Sequence, residues 1–238
     1  MIDFSQRVVM ITGASGNLGS TLARRFRAAG ATMILVDRHR DTLKRVFPEL
    51  VDVPDCLLTS CADLTSSDDV DAVIRQGLVA FERIDVLIHT VGGFRSGTPV
   101  YETPVDTLDF MFDLNAKTVF ITNRAVLPHM IQQRYGKIVN LAARPGLEGR
   151  PNMAAYSASK AAVLRLTESI SAEVRDFGIN VNCVLPGTID TPRNREEMPD
   201  ADFSRWVKPD SLADVIMFLA SDAARDIHGA AIPVYGRS

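Results

Sequence analysis

The sequence predicts one α/β domain, a doubly wound parallel sheet of about seven strands with helices on both faces. Three observations support this prediction. The chain has 238 residues, of which 46% are hydrophobic and 23% charged, and these values suit one large core. Short apolar runs alternate with longer amphipathic segments, and strands separated by helices pair in parallel through right-handed crossovers. No repeat or linker interrupts this order, so residues 1–238 are predicted to form a single domain.

Strands are predicted where apolar residues come in blocks, which is typical of strands buried on both faces. These blocks lie at residues 7–12, 32–37, 56–64, 85–90, 137–142, 179–185 and 230–236. The first helix is predicted from Leu18, Leu22 and Phe26, which share one helical face before Gly30 ends the segment. Similar helical patterns lie near residues 40–47, 66–82, 106–134, 154–177 and 211–221.

The longest stretch without either pattern is residues 188–210, which contains three prolines and charges of both signs. It follows the sixth predicted strand, and open α/β sheets bind their ligands at the carboxyl ends of their strands. Long loops in compact domains are commonly functional lids. We therefore expect a substrate loop at about 188–210.

The composition argues against several classes of partner. A net charge of −3 and an isoelectric point near 5.8 provide no basic surface for nucleic acid or an anionic membrane. The three cysteines, Cys56, Cys61 and Cys183, lie in apolar surroundings, and the four histidines show no ligand spacing. We therefore expect buried thiols in a reducing compartment and no metal. With no secretory signal and no apolar run of about 18 residues, a cytoplasmic protein is expected.

A glycine-rich turn follows the first predicted strand directly. In "TGASGNLG", glycines recur every third residue and lead into the first helix. Glycine lets the backbone approach a pyrophosphate closely, and the N–H groups at the start of the helix attract its charge. Three glycines also form ordinary strand-to-helix turns, but the first strand of a βαβ unit is the context that a dinucleotide site requires. The residues predicted to contact the dinucleotide, with Asn17 as the helix N-cap, are Gly13, Ser15, Gly16, Asn17, Leu18 and Gly19.

Asp37 closes the second predicted strand, 24 residues after Gly13. A carboxylate at this position accepts hydrogen bonds from both hydroxyls of an adenosine ribose and repels a 2′-phosphate, so NAD is favoured over NADP. Two alternatives stay open. Asp37 can be a simple turn residue at the end of a strand, and Arg38 can grip a phosphate if Asp37 turns aside.

Tyr156 and Lys160 lie four residues apart in the helical pattern at 154–177 and therefore share one helical face. A phenol has a pKa of about 10 in water, so a nearby positive charge is needed to make it a base. The Lys160 ammonium and an oxidised nicotinamide ring can both supply that charge. Such a pair is common by chance, and its position after the fifth strand of a dinucleotide-type sheet is what points to catalysis.

Taken together, these features resemble the short-chain dehydrogenase/reductase family over almost the whole chain. The matching segments are "TGASGNLG", "CADL", "IHTVGG", "DLNAKTVF", "YSASK", "VLPGTIDTP" and "FLASDAARDIHGAAIPVYG". The resemblance implies a Rossmann-type fold and a hydride exchanged between a nicotinamide and a small-molecule carbonyl or secondary alcohol. It also implies a homo-oligomer, a tetramer or dimer, with the helices near 106–134 and 154–177 at the interface.

The resemblance further implies roles for individual residues. Tyr156 is the implied acid/base, Lys160 binds the nicotinamide ribose and lowers the tyrosine pKa, and Asn115 helps to carry the proton to solvent through a water. The other implied cofactor contacts follow the ends of strands: Asp63 and Leu64 beside the adenine, Ile189 and Thr191 at the carboxamide, and Thr90, Gly92, Pro186 and Gly187.

The chain departs from this family at the catalytic serine. That serine normally lies thirteen residues before the tyrosine, where this chain has Ala143, and residues 123–156 contain no serine or threonine. Losing one donor to the substrate oxygen typically lowers turnover about 10²- to 10³-fold. One hypothesis is an NAD-linked oxidoreductase whose substrate positions itself with less help from the protein, or with help from Arg144 or Asn152. Arg95 is a further nearby donor, and each of these three side chains is otherwise an exposed loop residue. The other hypothesis is a dinucleotide-binding protein with weak or no catalysis that acts through NAD-dependent assembly or partner binding.

Two further observations bear on the site. His89 and Thr90 stand where the family has asparagines, and the glycine spacing resembles the extended branch of the family although the length resembles the classical branch. The side chains that can wall an apolar substrate pocket, or else pack in the core, are Phe94, Met153, Met198, Phe203 and Trp206. The side chains that can favour an acidic substrate, or else are solvated loop charges, are Arg144, Arg150, Arg193 and Arg195.

Overall fold

The computed structural model describes residues 2–237, and these form one parallel sheet flanked by helices. The strands are β1 (Val8–Thr12), β2 (Thr32–Asp37), β3 (Cys56–Ser60), β4 (Val86–His89), β5 (Gly136–Leu141), β6 (Ile179–Pro186) and β7 (Ala231–Val234). Their order in the sheet is β3-β2-β1-β4-β5-β6-β7, and every pair is parallel. The predicted doubly wound parallel sheet is confirmed.

The helices connect successive strands. They are α1 (Asn17–Ala28), α2 (Arg40–Val46), α3 (Ser67–Phe81), α4 (Val105–Phe112), α5 (Thr118–Gln133), α6 (Ala154–Val174), α7 (Pro192–Glu197) and α8 (Pro209–Leu219). A single π-helical turn, Asp113–Lys117, joins α4 to α5. Within residues 2–237, none of these helices has the length and apolar character needed to cross a bilayer.

The core forms two layers, one on each face of the sheet. Val9 and Ile11 of β1 pack in the first layer, whereas Val8 and Met10 pack in the second, because successive side chains of a strand point to opposite faces. Helices α1, α2 and α8 cover the first layer, and α3, α5 and α6 cover the second. Burial on both faces explains why the strands appear in the sequence as apolar blocks.

The order of strands reverses at β1, which places the ligand-binding edge. β1 pairs with β2 on one side and with β4 on the other. The chain leaves β1 toward the layer that contains α1, and it leaves β4 toward the layer that contains α5. The two loops therefore diverge and open a crevice at the carboxyl edge of the sheet, where open α/β sheets bind ligands.

Two segments differ from the sequence-based expectation. The helical pattern at 106–134 is interrupted by the π turn. A π turn adds a residue to the helix and so rotates the apolar face of the part that follows, but that part is still apolar on one face. The stretch at 188–210 is not irregular throughout. It contains α7, and Ile189 pairs with Val207 in a parallel bridge, so local backbone bonds hold a segment whose prolines indicated a loop.

Candidate active site

The glycine-rich turn joins β1 to α1 at the carboxyl edge of the sheet. Gly13 has a positive φ of 70°, and the Gly16 N–H donates to the Gly13 carbonyl at 3.1 Å. A Cβ added at Gly19 would overlap the Gly13 carbonyl oxygen, so only glycine lets α1 pack this closely on the turn. A side chain would fill this cradle, and its shape fits the pyrophosphate of a dinucleotide.

The first turn of α1 presents backbone N–H groups that no side chain caps. The N-cap is Gly16, whose backbone is extended, and the predicted N-cap Asn17 is the first helical residue instead. The prediction of Asn17 as the N-cap is therefore wrong, because the turn closes one residue earlier than the side-chain preference indicated. Its contact with the dinucleotide stays a prediction. Leu18 is buried in the core, so a contact of Leu18 with a nucleotide would use its backbone.

Asp37 lies beside the glycine-rich turn. Its Oδ2 accepts hydrogen bonds from the Ser15 N–H at 3.0 Å and from the Ser15 hydroxyl at 2.6 Å, and its Oδ1 accepts from the Arg38 N–H at 2.7 Å. These bonds hold the carboxylate at the rim of the crevice. The Arg38 side chain is exposed. The Asp37 carboxylate, and not the Arg38 guanidinium, is therefore held against the turn.

Asp63 and Leu64 follow β3 on the same edge of the sheet. Both the backbone N–H and the hydroxyl of Thr65 donate to Asp63 Oδ1 at 2.7 Å, and these bonds hold the pKa of the Asp63 carboxyl below its usual value. The Asp63 N–H donates to Asp69 Oδ2 at 3.1 Å. Asp63 is therefore engaged within its own loop, while Leu64 packs against the second core layer.

The segment after β4 runs directly over the predicted catalytic residues. The Thr90 hydroxyl donates to the Thr12 carbonyl at 2.8 Å and thereby ties this segment to the end of β1. A Cβ added at Gly92 would lie 2.9 Å from Asn115 Oδ1 and 3.0 Å from Lys160 Nζ. Glycine at position 92 therefore allows β4, α6 and the π turn to meet at one point.

His89 supports the π turn from the end of β4, a role that the sequence did not indicate. The imidazole is fully buried, with Nδ1 3.0 Å from Thr12 Oγ1 and Nε2 3.2 Å from Thr118 Oγ1. Thr118 Oγ1 donates to the Leu114 carbonyl at 2.8 Å, so His89 Nε2 must carry the proton that bonds Thr118. Burial, aided by the Lys160 charge, lowers the pKa of His89 to about 3. His89 is thus a neutral structural residue.

Asn115 lies within the π turn, and its amide joins the segment after β4 to α6. Its Oδ1 accepts from the Gly93 N–H at 2.9 Å, while Nδ2 donates to the Gly93 carbonyl at 3.1 Å and to Ser159 Oγ at 3.0 Å. The Ser159 hydroxyl donates in turn to the Tyr156 carbonyl at 2.8 Å. Ser159 is therefore a positioning residue, and only its place one residue before the lysine in "YSASK" could have indicated it.

Tyr156 and Lys160 begin α6 on one face, as their spacing predicted. Lys160 is buried, and its Nζ donates to the Leu141 carbonyl at the end of β5 at 2.9 Å. The Tyr156 ring packs edge-to-face on Phe94 with a centroid separation of 4.8 Å. The Tyr156 ring and the Lys160 ammonium therefore both border the segment that follows β4.

Burial affects the two groups in opposite directions. It raises the pKa of Tyr156 to about 12 and lowers the pKa of Lys160 to about 8, because a desolvated site disfavours either charged form. The sequence-based expectation was a lowered tyrosine pKa. In the ligand-free protein Tyr156 is a proton donor, and a further positive charge must enter the site before it can act as a base.

Ala143 follows β5, at the position where the resemblance leads us to expect a serine. It is buried, its backbone is extended, and it contributes only a methyl group between β5 and the short turn that follows. Of the replacements considered, Arg144 lies 3.5 Å from Glu148 and over the Tyr235 ring. Asn152 has a positive φ of 61° and lies in the loop before α6.

The predicted carboxamide contacts follow β6. The Gly187 N–H donates to a β7 carbonyl at 2.9 Å, directly after Pro186 ends the strand, and Ile189 forms its bridge to Val207. The Thr191 hydroxyl oxygen caps α7 by accepting from an N–H of its first turn at 3.2 Å. These residues are therefore held in a defined backbone path at the carboxyl edge of the sheet.

An ion-pair cluster fixes the start of the 188–210 segment. The Asp190 carboxylate bonds the Arg195 guanidinium at 2.6 Å and also pairs with the Lys208 ammonium. Hydrogen bonds from Arg195 and then Lys208 hold the pKa of Asp190 well below its usual range. Within residues 2–237, no three His, Cys, Asp or Glu side chains are grouped as metal ligands would be.

A cavity of about 430 Å³ opens beside Phe94 and Met153. Phe94 packs on the Tyr156 ring, and Met153 lies shortly before Tyr156 in the sequence. These are two of the five side chains predicted to wall a pocket. Phe203 and Trp206 instead pack on each other with ring centroids 4.8 Å apart, and Met198 does not line this cavity. The sequence could not separate the two groups because both have the same apolar character.

The sequence and the fold match known oxidoreductases. The family described as short chain dehydrogenase matches residues 7–202. The 2-(R)-hydroxypropyl-CoM dehydrogenase of Xanthobacter autotrophicus is 35% identical over 243 residues, which cover 97% of both chains. The solved NAD+-bound xylitol dehydrogenase is 28% identical, with a TM-score of 0.86 and coverage of 97% of this chain and 98% of that one. The solved NADP-bound ElxO is 26% identical, with a TM-score of 0.88 and 97% coverage of each.

The chain therefore belongs to the short-chain dehydrogenase/reductase family. It is an NAD(P)-dependent oxidoreductase that acts on a carbonyl or alcohol substrate. The alternative hypothesis, a dinucleotide-binding protein with little or no catalysis, is not favoured, because the similarity extends over nearly the whole chain of a named dehydrogenase.

The buried ammonium makes stability depend on pH. The Lys160 pKa falls from 10.5 to about 8 on folding, so the unfolded chain binds more protons than the folded chain between these values, and stability rises with pH. The free energy of unfolding of the wild type minus that of Lys160→Met should therefore increase by about 3 kcal/mol between pH 8 and 10.5. Urea denaturation of the ligand-free proteins measures this difference. Lys117→Met, at a half-exposed position, controls for net charge, and a flat or falling difference would contradict the prediction.

Proposed function

We propose that the chain reduces ketones or oxidises secondary alcohols with Tyr156 as the proton-transferring group. The observation that supports this role is the convergence of the buried Lys160 ammonium and the clamped Asn115 amide beneath Gly92, with the Tyr156 ring packed on Phe94 of the same segment. Gly13, Gly16 and Gly19 would hold the pyrophosphate, and Lys160 the nicotinamide ribose. When bound, the nicotinamide supplies or accepts the hydride.

Tyr156 would transfer the proton in both directions of the reaction. In reduction, the Tyr156 hydroxyl donates its proton to the carbonyl oxygen as that oxygen becomes a hydroxyl, and Lys160 stabilises the phenolate that remains. In oxidation, the phenolate takes the proton from the alcohol. The dry surroundings that raise the tyrosine pKa also strengthen the attraction between phenolate and ammonium.

Because Ala143 has no hydroxyl, the protein would give the substrate oxygen less help in orienting the substrate. With no hydroxyl at this position, the substrate oxygen has Tyr156 as its proposed donor, whereas the family pattern supplies two. One missing donor reduces turnover without removing the proton transfer. The proposed enzyme is therefore slow on small ketones that make few other contacts, and it depends on contacts with the rest of the substrate.

Removing the phenol hydroxyl tests the catalytic role. Tyr156→Phe should lower kcat at least about 10²-fold, because it removes the general acid, while NADH still binds to the glycine-rich turn. A panel of ketones with NADH and of secondary alcohols with NAD, followed by nicotinamide absorbance, measures kcat, and calorimetry measures NADH binding. Full activity in Tyr156→Phe would refute the assignment.

Restoring the absent hydroxyl tests the role of position 143. Ala143→Ser should raise kcat on small ketones by up to about 10²- to 10³-fold, since it adds one donor to the substrate oxygen. The same absorbance assay on matched protein preparations measures the change. A decrease in kcat would show that the methyl group fits the substrate and that no donor is missing.

We propose NAD as the preferred cofactor, with NADP disfavoured. The support is the Asp37 carboxylate, which Ser15 and Arg38 hydrogen bonds hold at the rim of the turn. Ribose hydroxyls can donate to this carboxylate, and a 2′-phosphate is repelled by it. Solved neighbours include both an NAD+-bound and an NADP-bound protein, so the preference depends on this residue and not on the family.

Replacing the acid should reverse the preference. Asp37→Ala should lower kcat/KM for NAD about 10- to 100-fold, the effect of losing hydrogen bonds to a charged acceptor, while kcat/KM for NADP is unchanged or higher. The ratio of the two values, measured with one substrate, reports the result. A wild-type protein that prefers NADP would overturn the proposal.

We propose that the chain forms a homo-oligomer, a tetramer or dimer, through α4 and α5. Val105 is 72% exposed, Phe120 is 49% exposed, and Leu108 and Phe112 are also exposed, an apolar surface larger than scattered single residues would give. Light scattering should show a mass that is a multiple of 26.0 kDa, and Phe112→Asp with Phe120→Asp should reduce it to 26.0 kDa. A monomeric wild type would contradict the proposal.

Two other predictions remain proposals. A substrate loop at 188–210 is supported by its origin at the end of β6 and by the Asp190 ion pairs that orient it. A cytoplasmic location is supported by three free, buried cysteines, which are typical of proteins in a reducing compartment.

A further inference from the structure

We propose that the substrate is a keto acid, or the corresponding hydroxy acid, whose carboxylate binds Arg95 in the cavity beside Tyr156. This inference rests on the proposed function, because it names the substrate class of the same site. It begins from the cavity of about 430 Å³ described above, a volume within the range of small-molecule sites.

The lining of this cavity suits an anion. Its polar side chains are those of Arg95, Ser96, Thr98, Thr103, Thr107 and Asn152, the other lining residues are apolar, and no carboxylate lines it. Thr98 and Thr103 bond each other at 3.1 Å, and Thr103 also donates to the Pro99 carbonyl at 2.9 Å. The hydroxyl protons of Thr98 and Thr103 are therefore used in hydrogen bonds within the loop.

The remaining donors of the lining are available to a ligand. Within residues 2–237, the side chains of Arg95, Ser96, Thr107 and Asn152 have no hydrogen bond or ion pair to another residue. A guanidinium, two hydroxyls and an amide consequently surround one space. The cavity walls are joined, because the Gly97 N–H donates to the Asn152 carbonyl at 3.0 Å.

The Arg95 guanidinium is held by a ring and not by an acid. Its central carbon lies 3.6 Å from the centroid of the Phe110 ring. Stacking occupies the face of the planar group, and the N–H donors at its edge stay in the plane, where they can bind both oxygens of a carboxylate. The stacking also restricts the side chain before a ligand binds, which reduces the entropy cost of binding.

The arginines that the sequence offered for an acidic substrate are already paired. Arg150 bonds Glu148 at 3.1 Å and Arg144 lies 3.5 Å from the same carboxylate. Arg193 bonds Glu197 at 2.8 Å, and Arg195 bonds Asp190 at 2.6 Å. Arg95 differs from all four because no carboxylate of residues 2–237 forms an ion pair with it.

The cavity borders the Tyr156 ring through Phe94, which lines it. Phe94, which packs on the Tyr156 ring, directly precedes Arg95, and Ala155, which lines the cavity, directly precedes Tyr156. A substrate with its carbonyl oxygen at the phenol can extend along Phe94 toward Arg95. The carboxylate contact would then supply the orientation that Ala143 does not.

Matched acids and esters test this proposal on the NADH-bound protein. The probes are 3-oxobutanoate, 4-oxopentanoate and 5-oxohexanoate, each with its methyl ester, and the readouts are binding by calorimetry and kcat/KM. For at least one length the wild type should bind the acid about 10-fold more tightly than the ester, as one charge-assisted contact provides. Arg95→Gln should remove this preference and leave the ester and NADH affinities unchanged.

Matched variants separate the possible outcomes. Arg150→Gln, which removes a nearby paired arginine, should keep the preference, and Arg95→Lys should keep part of it. Equal binding of acid and ester at every length, no binding of either at millimolar concentration, or a preference that survives Arg95→Gln would each overturn the proposal. The catalytic role proposed for Tyr156 fails separately, through a Tyr156→Phe variant that retains full turnover of the ketone panel.

Discussion

The burial of one ammonium group, that of Lys160, sets the conditions for the rest of the site. Its Nζ is held by the Leu141 carbonyl at the end of β5, and the backbone passes over it at Gly92, where a Cβ would come within 3.0 Å. A site this dry raises the tyrosine pKa and lowers the lysine pKa. Burial makes the charged forms of both Tyr156 and Lys160 unfavourable. Their protonation therefore responds strongly to any charge that binds beside them.

The support beneath this site is a chain of hydrogen bonds that starts in the sheet. Thr12 at the end of β1 bonds His89 at the end of β4, and His89 bonds Thr118 below the π turn. Thr118 satisfies the Leu114 carbonyl next to Asn115. A neutral histidine thereby links the switch point of the sheet to the clamp on the segment that follows β4. The departure from asparagine at this position is compensated locally.

Much of the fold could be predicted from the sequence because the signals are local. Apolar blocks marked all seven strands, and the positions of Gly13, Gly16 and Gly19 after the first block marked the glycine-rich turn that joins β1 to α1. The π turn could not be predicted, since its inserted residue leaves the apolar pattern of α4 and α5 intact. The N-cap was placed one residue too late because the propensity of a side chain is weaker than the geometry of the turn that closes before it.

The sequence by itself determined that there is a parallel sheet, the order of strands and helices along the chain, the family, and the spacing of Tyr156 and Lys160. Each of these depends on neighbours within a few turns or on a long ordered set of motifs. Only the tertiary structure decided that Arg95 stacks on Phe110, which apolar side chains line the cavity, and how dry the site is. These properties depend on pairs far apart in the chain, such as Arg95 with Phe110 and Lys160 with Leu141. Charge and burial are set by the distances that folding creates between such residues.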